Sequence, residues 1–153
     1  MYYKMKTFAQ HQINALMSLQ VIEQYITGQL PNVTTLDAMG YRFFFYADEQ
    51  VLPFATMALS DNEYDKVSDL DRTGVYRLNI GVPKEMFEQL FPEPGGEWDY
   101  TSLNIFMPHP HYAAQHFICI LNPENEQLAA ALEYAGAAYL LAKTRYERKR
   151  KAR

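Results

Sequence analysis

The sequence predicts an α+β fold, a two-layer sandwich in which an antiparallel sheet of about five strands carries its helices on one face. First, the chain has 153 residues, 48% of them apolar, which is enough for one sizeable core. Second, several β-rich runs are joined by links of hairpin length, which require antiparallel pairing. Third, helical patterns open and close the chain, so the helices can cover one face of the sheet.

The first element is a helix. Apolar residues at helical spacing run from position 8 to position 26, and Gly28 and Pro31 end the pattern. Ser18 is a candidate N-cap for a shorter helix that begins at Leu19. We therefore expect residues 1–18 to form a helical extension and residues 19–142 to form a single α+β domain.

Four strands are predicted next, over residues 33–36, 41–46, 51–60 and 75–80. The second of these, YRFFFY, is dominated by aromatic residues, which favour a pleated, half-buried surface. The third contains Pro53, which suggests a sheet edge or a bulge. Residues 61–73 between the third and fourth strands read as a polar loop.

The second half of the chain alternates helix, loop, strand and helix. Pro83 at a first helical position predicts a short helix to Phe91, and the apolar run at 117–121 predicts a central strand. Residues 107–115 are expected to be irregular because they contain two prolines. A final helix follows Asn122, its candidate N-cap, and Gly136 within it is expected to admit a close neighbour.

The charge is distributed unevenly along the chain. Residues 143–153 hold seven basic residues and one acid, a net +6, whereas the remainder holds seven bases and seventeen acids, a net −10. This basic C-terminal tail is typical of a solvated helix end, and the alternative is an arm for nucleic acid or another anionic partner. The acidic body repels phosphate, so nucleic acid is an expected partner only through the tail.

Cysteine content and hydropathy predict the cellular compartment. Cys119 is the one cysteine, which excludes an internal disulfide framework and a multi-cysteine zinc site, and its apolar strand predicts a buried thiol. No apolar run is long enough to span a bilayer, and the N-terminus lacks the apolar stretch of a secretion signal. We therefore expect a cytoplasmic protein with no membrane partner.

The sheet face turned away from the helices is the main candidate for a binding site. Strand periodicity puts Arg77 and Asn79 on this face, and we expect Arg42, Tyr46 and Thr56 to join them. A face that mixes guanidinium, amide and aromatic groups can bind a ligand by stacking and hydrogen bonds. The alternative is an ordinary solvated face, which antiparallel sheets commonly have.

Two loops contain the remaining candidate residues. The acidic loop, residues 61–74, fits no calcium-binding register. Its residues are expected to make turns, with Asp69 or Asp71 paired to Arg72 or Arg77. The three histidines at 109, 111 and 116 match no standard zinc spacing. His109 lies between two prolines and is a candidate acid/base, with Asp69 or Asp71 to orient it. We find no phosphate-binding or nucleophile motif and expect no metal and no cofactor.

Three short motifs carry a family resemblance. Ser68-Asp-Leu-Asp-Arg72, Gly74-Val-Tyr-Arg-Leu-Asn-Ile-Gly81 and Met107-Pro-His-Pro110 resemble a bacterial family known only as a domain of unknown function. More distantly, the layout is similar to the MmcQ/YjbR-like proteins, which are also related to type III secretion chaperones. That resemblance implies a compact α+β fold and no particular activity. Some YjbR-like proteins have been suggested to bind DNA, but the acidic body here weakens the transfer.

These observations favour a non-enzymatic cytoplasmic module that binds a small molecule or a protein, with a homodimer as one expected form. The ligand would meet the outer sheet face and the loops at 69–74 and 107–112. The residues expected to bind it are Arg77, Asn79, Tyr46, His109, Tyr112 and Arg72. The alternatives are an enzyme that uses a His/Asp pair, with or without a metal, in a cleft beside the sheet, and nucleic-acid binding through the tail.

Overall fold

The computed structural model describes residues 7–152, which form three α-helices and six β-strands. In chain order they are α1 Phe8–Gln24, β1 Val33–Ala38, β2 Tyr41–Tyr46, β3 Ala55–Ala58, β4 Arg77–Gly81, α2 Lys84–Leu90, β5 Met107–Pro108, β6 Phe117–Leu121 and α3 Asn125–Lys151. A five-residue π-helical turn, Tyr25–Gln29, extends α1, and a short 3₁₀ turn, Ala113–Gln115, precedes β6.

The strands form a single antiparallel sheet in the order β1-β2-β3-β4-β6-β5, so the predicted α+β class is confirmed. The sheet has six strands rather than about five. The additional strand is β5, in which Met107 lies opposite Cys119 and Pro108 opposite Ile118. Periodicity cannot reveal a strand of two residues, and a proline is tolerated there because β5 lies at the sheet edge.

One face of the sheet carries the main core, which is built with α1 and α3. Its fully buried side chains include Ile22 from α1, Phe44, Leu78 and Ile120 from the sheet, and Ala135 from α3. A Cβ on Gly136 would lie 2.7 Å from the hydroxyl oxygen of Tyr25. The expected close neighbour of Gly136 is therefore confirmed, and it is the π-helical turn after α1.

Neither predicted N-cap performs that role. Helix α1 begins ten residues before Ser18, where Thr7 accepts a hydrogen bond from the amide of Gln10 at 3.1 Å. The Ser18 hydroxyl is instead buried, donating to the carbonyl of Ala15 and bonding the Tyr76 hydroxyl at 2.6 Å. The helix therefore runs without a break through the predicted boundary at residue 18.

Asn122 is likewise engaged with the sheet rather than with α3. Its amide oxygen accepts from the backbone N–H of Tyr76 at 3.0 Å, and its amide nitrogen donates to the carbonyl of Gly74 at 2.9 Å. The N-cap of α3 is Glu124. The side chain of Asn122 thus stabilises the backbone that leads into β4.

The expected placement of Arg42 and Tyr46 is wrong, because both face the helices. Phe44 belongs to the helix-side core, and residues two positions away on a strand share its face. Arg42 bonds Asp37 across the β1–β2 pair, with Nε–Oδ1 at 2.8 Å, and also reaches Glu23 of α1. The Tyr46 ring contacts Tyr139 of α3 edge-on, with ring centroids 5.6 Å apart.

The opposite side of the sheet, which we call the outer face, is covered by chain rather than open. A second, smaller core forms there from Ala58, Leu70, Met107, Cys119 and Leu121. Leu70 comes from the loop between β3 and β4, which folds back across the strands. The thiol of Cys119 is buried as predicted, and burial raises its pKa to about 12.

We predict that Gly81→Ala destabilises the fold by about 1–3 kcal/mol, because overpacking a tight contact strains its surroundings. A Cβ at this position would lie 2.8 Å from the ring of Phe117 on the neighbouring strand. Urea unfolding followed by tryptophan fluorescence measures the change. Gly28→Ala is the matched control, because no atom lies within 4 Å of its added Cβ. Equal unfolding free energies for the two variants would contradict the prediction.

Candidate functional site

Arg77 is the centre of the polar groups on the outer face. The side chain is completely buried, and Nε donates to the Asn79 amide oxygen at 2.9 Å. Nη1 donates to Asp65 and, at 2.9 Å, to the Ser68 hydroxyl, while Nη2 donates to the second oxygen of Asp65. The guanidinium therefore holds the β3–β4 loop on the sheet.

Asp65 supplies the charge that Arg77 requires. It also accepts a hydrogen bond from the Tyr41 hydroxyl at 2.7 Å. Burial alone would raise the pKa of Asp65, but the hydrogen bonds from Arg77 and Tyr41 outweigh it and hold the pKa at about 2. The same surroundings, burial first and the bond to Asp65 second, raise the pKa of Tyr41 to about 12. At neutral pH the site thus contains a compensated ion pair beside a neutral phenol.

Asn79 and Thr56 extend the network towards β3. Because the Asn79 amide oxygen accepts from Arg77, its nitrogen must face the other way, where it donates to the Thr56 hydroxyl at 2.9 Å. Asn79 and Thr56 are both buried, and Cα pairing places them side by side on β4 and β3. The amide orientation is therefore set by the guanidinium.

His109 is fixed by the backbone of its own loop. Nδ1 accepts from the N–H groups of His111 and Tyr112 at 3.0 and 3.1 Å. Burial, with the positive charge of Arg77 as a second cause, lowers the pKa of His109 to about 3. The neutral ring with an accepting Nδ1 carries its proton on Nε2. Within residues 7–152 no side chain accepts from Nε2, and no fully buried side-chain nitrogen there lacks a partner, so Nε2 reaches accessible space.

That space is a cavity of about 540 Å³ on the outer face, here called the outer cavity. Its floor is formed by four buried polar side chains: Thr56, Asp65, Asn79 and His109. Its walls include the rings of Phe43 and Phe117. Its rim is formed by five exposed apolar or aromatic residues from four loops: Met39, Val51, Leu52, Tyr64 and Tyr112.

The structure brings three of the six predicted ligand-binding residues, Asn79, His109 and Tyr112, to the outer cavity. Arg77 lies beneath the floor and acts through Asp65 and Asn79. Tyr46 lies across the sheet, where it lines a separate helix-side cavity of about 60 Å³. Whether the three residues at the cavity bind a ligand stays a prediction.

The other charged candidates of the acidic loop make turns and loop contacts. Arg72 donates to the carbonyls of Asp69, Ser68 and Thr101 at 2.8 to 3.1 Å, joining the β3–β4 loop to the segment before β5. Oδ2 of Asp69 lies 3.7 Å from Nε of Arg72. Oδ1 of Asp71 accepts a hydrogen bond from the backbone N–H of Asp61. Neither carboxylate makes a hydrogen bond to His109 in the described range, so the predicted orienting pair does not form there.

Asp65, Phe43, Leu52 and Phe117 are site residues that the sequence analysis did not select. A signal for Asp65 was present, because an arginine on a covered sheet face needs a carboxylate nearby. The acidic loop offered several carboxylates, and spacing alone cannot choose among them. Phe43 and Phe117 looked like ordinary core residues of their strands.

A comparison with protein-family models matches residues 17–151 to a "Family of unknown function (DUF6194)". The chain belongs to this family. The expected membership in a family of unknown function is thereby confirmed, and the matched range contains every residue of the outer cavity.

Beyond the DUF6194 family the comparisons add nothing. No curated protein and no solved structure gives a significant match. The more distant resemblance to MmcQ/YjbR-like proteins therefore stays a prediction. Among residues 7–152 no helix is long and apolar enough to cross a membrane, and no three His, Cys, Asp or Glu side chains are grouped as metal ligands.

The predicted basic tail is the end of α3, which continues as helix to Lys151. Some of its cations have partners within the chain. Nζ of Lys149 lies 3.9 Å from Oε2 of Glu49, and the Arg150 guanidinium carbon lies 5.9 Å from the centroid of the Tyr146 ring. The family match extends to residue 151, so this segment lies largely within the matched region. Nucleic-acid binding through it stays a prediction.

We predict that Asp65→Asn lowers the free energy of unfolding by about 3 kcal/mol or more, since it leaves the charge of Arg77 buried and uncompensated. Asp69→Asn is the matched control, because the side chain of Asp69 is 61% exposed and its pairing to Arg72 is long. That variant should change stability by no more than about 0.5 kcal/mol. Urea titration measures both, and a small loss for Asp65→Asn would show that the pair does not hold the loop.

Stability should also fall as the pH drops below about 6.5. The unfolded chain binds a proton at His109 near its usual pKa of about 6.5, whereas the folded chain does so only near 3. The free energy of unfolding therefore falls by on the order of 1 kcal/mol per pH unit from about pH 5.5 downward, before the carboxylates begin to titrate. Denaturation at a series of pH values measures how steeply the free energy of unfolding changes with pH. Between about pH 6 and pH 4.5, where His109 dominates this dependence, the slope should be flatter for His109→Phe than for the unmodified protein.

Proposed function

We propose that this protein is a binding module whose outer cavity holds a small organic molecule. The observation that carries the proposal is the layout of the cavity, in which a buried polar floor lies under an exposed apolar rim. Ligand sites in proteins are typically concave and largely apolar, with a few fixed polar groups. The volume of about 540 Å³ falls in the range of such sites.

The rigidity of the floor supports the proposal. Thr56, Asn79 and Asp65 are tied to Arg77 by a chain of hydrogen bonds, and His109 is held by two backbone amides. Groups that are already oriented lose little conformational freedom when a ligand arrives, which favours affinity. The rim comes from four separate loops, whose side chains can adjust to the body of the ligand.

The state of His109 favours binding over acid–base catalysis. Its Nδ1 is already taken by two donors, and a pKa of about 3 makes the ring a poor base at neutral pH. The carboxylate of Asp65 is likewise occupied by Arg77 and Tyr41. The hydrogens of His109 Nε2, Asn79 and Thr56 that the protein does not use are donors available to a ligand, which suits recognition.

The proposal predicts that phenylnaphthylamine, an uncharged apolar probe that fluoresces on leaving water, binds the intact protein saturably. Val51→Glu, which puts a charge on an 89%-exposed rim residue, should weaken this binding about fivefold, because rim apolar contact is replaced by a solvated carboxylate. Fluorescence titration measures both affinities.

Leu140→Glu is the matched control for this experiment. Leu140 is 60% exposed on α3 and does not line the outer cavity, so its substitution should leave probe affinity unchanged. Absence of saturable binding to the unmodified protein would overturn the proposal. An equal loss in both glutamate variants would do so too, because the probe would then be binding elsewhere.

A further inference from the structure

Each acceptor atom at the floor of the outer cavity is already engaged by the protein, whereas three donor hydrogens are not. The Asn79 oxygen, the His109 Nδ1 and both Asp65 oxygens already accept hydrogen bonds from the protein. Each donor group, in contrast, has a hydrogen left: Nε2–H of His109, the second N–H of the Asn79 amide and the Thr56 hydroxyl, which accepts from Asn79. Within residues 7–152 no residue accepts those three hydrogens. The complementary ligand atom is an oxygen acceptor without a hydrogen of its own.

The charge at the site argues against an ionic ligand. The lining includes the exposed His111 but no lysine or arginine, and the Asp65 carboxylate is neutralised by Arg77. An anion at the buried floor would lose its hydration without gaining a permanent cation, and an ammonium group would meet a carboxylate that is already paired. The arrangement therefore favours a group with no net charge.

The buried end of the cavity is polar, and its exposed end is apolar. Asn79 and His109 are 1% and 5% exposed, whereas Val51 and Tyr64 on the rim are 89% and 78% exposed. The aromatic walls, Phe43 and Phe117, lie between the two ends and offer ring faces for stacking. A ligand that fits this gradient enters with its polar end first.

We infer that the ligand is an uncharged molecule with an apolar, ring-containing body and a carbonyl oxygen, a ketone, ester or amide, which accepts from two of the three floor donors, His109 Nε2–H, Asn79 and Thr56. This inference rests on the proposed function and specifies it. The carbonyl sits at the floor, and the ring body extends past Phe43 and Phe117 to the rim.

Four naphthalenes of matched shape test the inference on the full chain. They are methyl naphthyl ketone, ethylnaphthalene, naphthoate and naphthylethylammonium, all substituted at the same ring position. Displacement of phenylnaphthylamine, or calorimetry, gives each dissociation constant. We expect the ketone to bind about tenfold more tightly than ethylnaphthalene, as one or two net hydrogen bonds would provide. Both ions should bind more weakly than ethylnaphthalene.

Two variants assign the preference to the floor. Thr56→Val replaces a hydroxyl by a methyl group of the same shape, and His109→Phe keeps a ring but removes Nε2–H. Because any two of the three donors include His109 or Thr56, at least one variant should reduce the ratio of ketone to ethylnaphthalene affinity from about ten towards one while leaving ethylnaphthalene affinity nearly unchanged. The ratio is insensitive to a general loss of stability, and Thr56→Val retains the test if His109→Phe does not fold.

The outcomes separate the two levels of the argument. If ketone and ethylnaphthalene bind with equal affinity, the ligand class is wrong while the proposed function stands. Tighter binding of naphthoate or of the ammonium compound overturns the class as well. If the probe binds the outer cavity and none of the four displaces it, the class fails while the proposed function stands, and if the probe itself does not bind there, both fail. An unchanged ratio in both variants overturns the assignment to the floor residues.

Discussion

The ion pair between Arg77 and Asp65 is the constraint on which the outer half of the molecule depends. A guanidinium placed at the middle of a covered sheet face must find a carboxylate, because an unpaired buried charge costs several kcal/mol. Asp65 meets this need from the β3–β4 loop, and Ser68 adds a second contact from the same loop. The loop is therefore drawn over the strands, and Asn79 is oriented in the same network.

The two sides of the sheet are consequently built in different ways. The helix side is filled by apolar side chains from α1, α3 and alternate strand positions, which together form one continuous core. The outer side is covered by loops, and only a small second core forms there, around Leu70, Met107 and Cys119. The outer cavity lies between these loops and the strands they cover.

Strand identity could be inferred well from local pattern, whereas the partners of polar side chains could not. The aromatic run at 41–46 and the apolar run at 117–121 coincide with β2 and β6. Ser18 and Asn122 have the chemistry of helix caps, yet both bond residues near β4 that are 58 and 46 positions away. A short hydroxyl or amide has many acceptable partners, and local spacing does not rank the distant ones.

By itself the sequence determined the α+β class, the antiparallel pairing, the strand cores and the presence of Arg77 and Asn79 on one face, because these follow from periodicities of two and of 3.6 residues. Only the tertiary structure decided which carboxylate pairs with Arg77, that His109 is held neutral with Nε2 open to the cavity, and that Tyr46 lies on the opposite side. Those choices depend on how loops far apart in the chain meet, and contact between them is set by packing rather than by any local repeat.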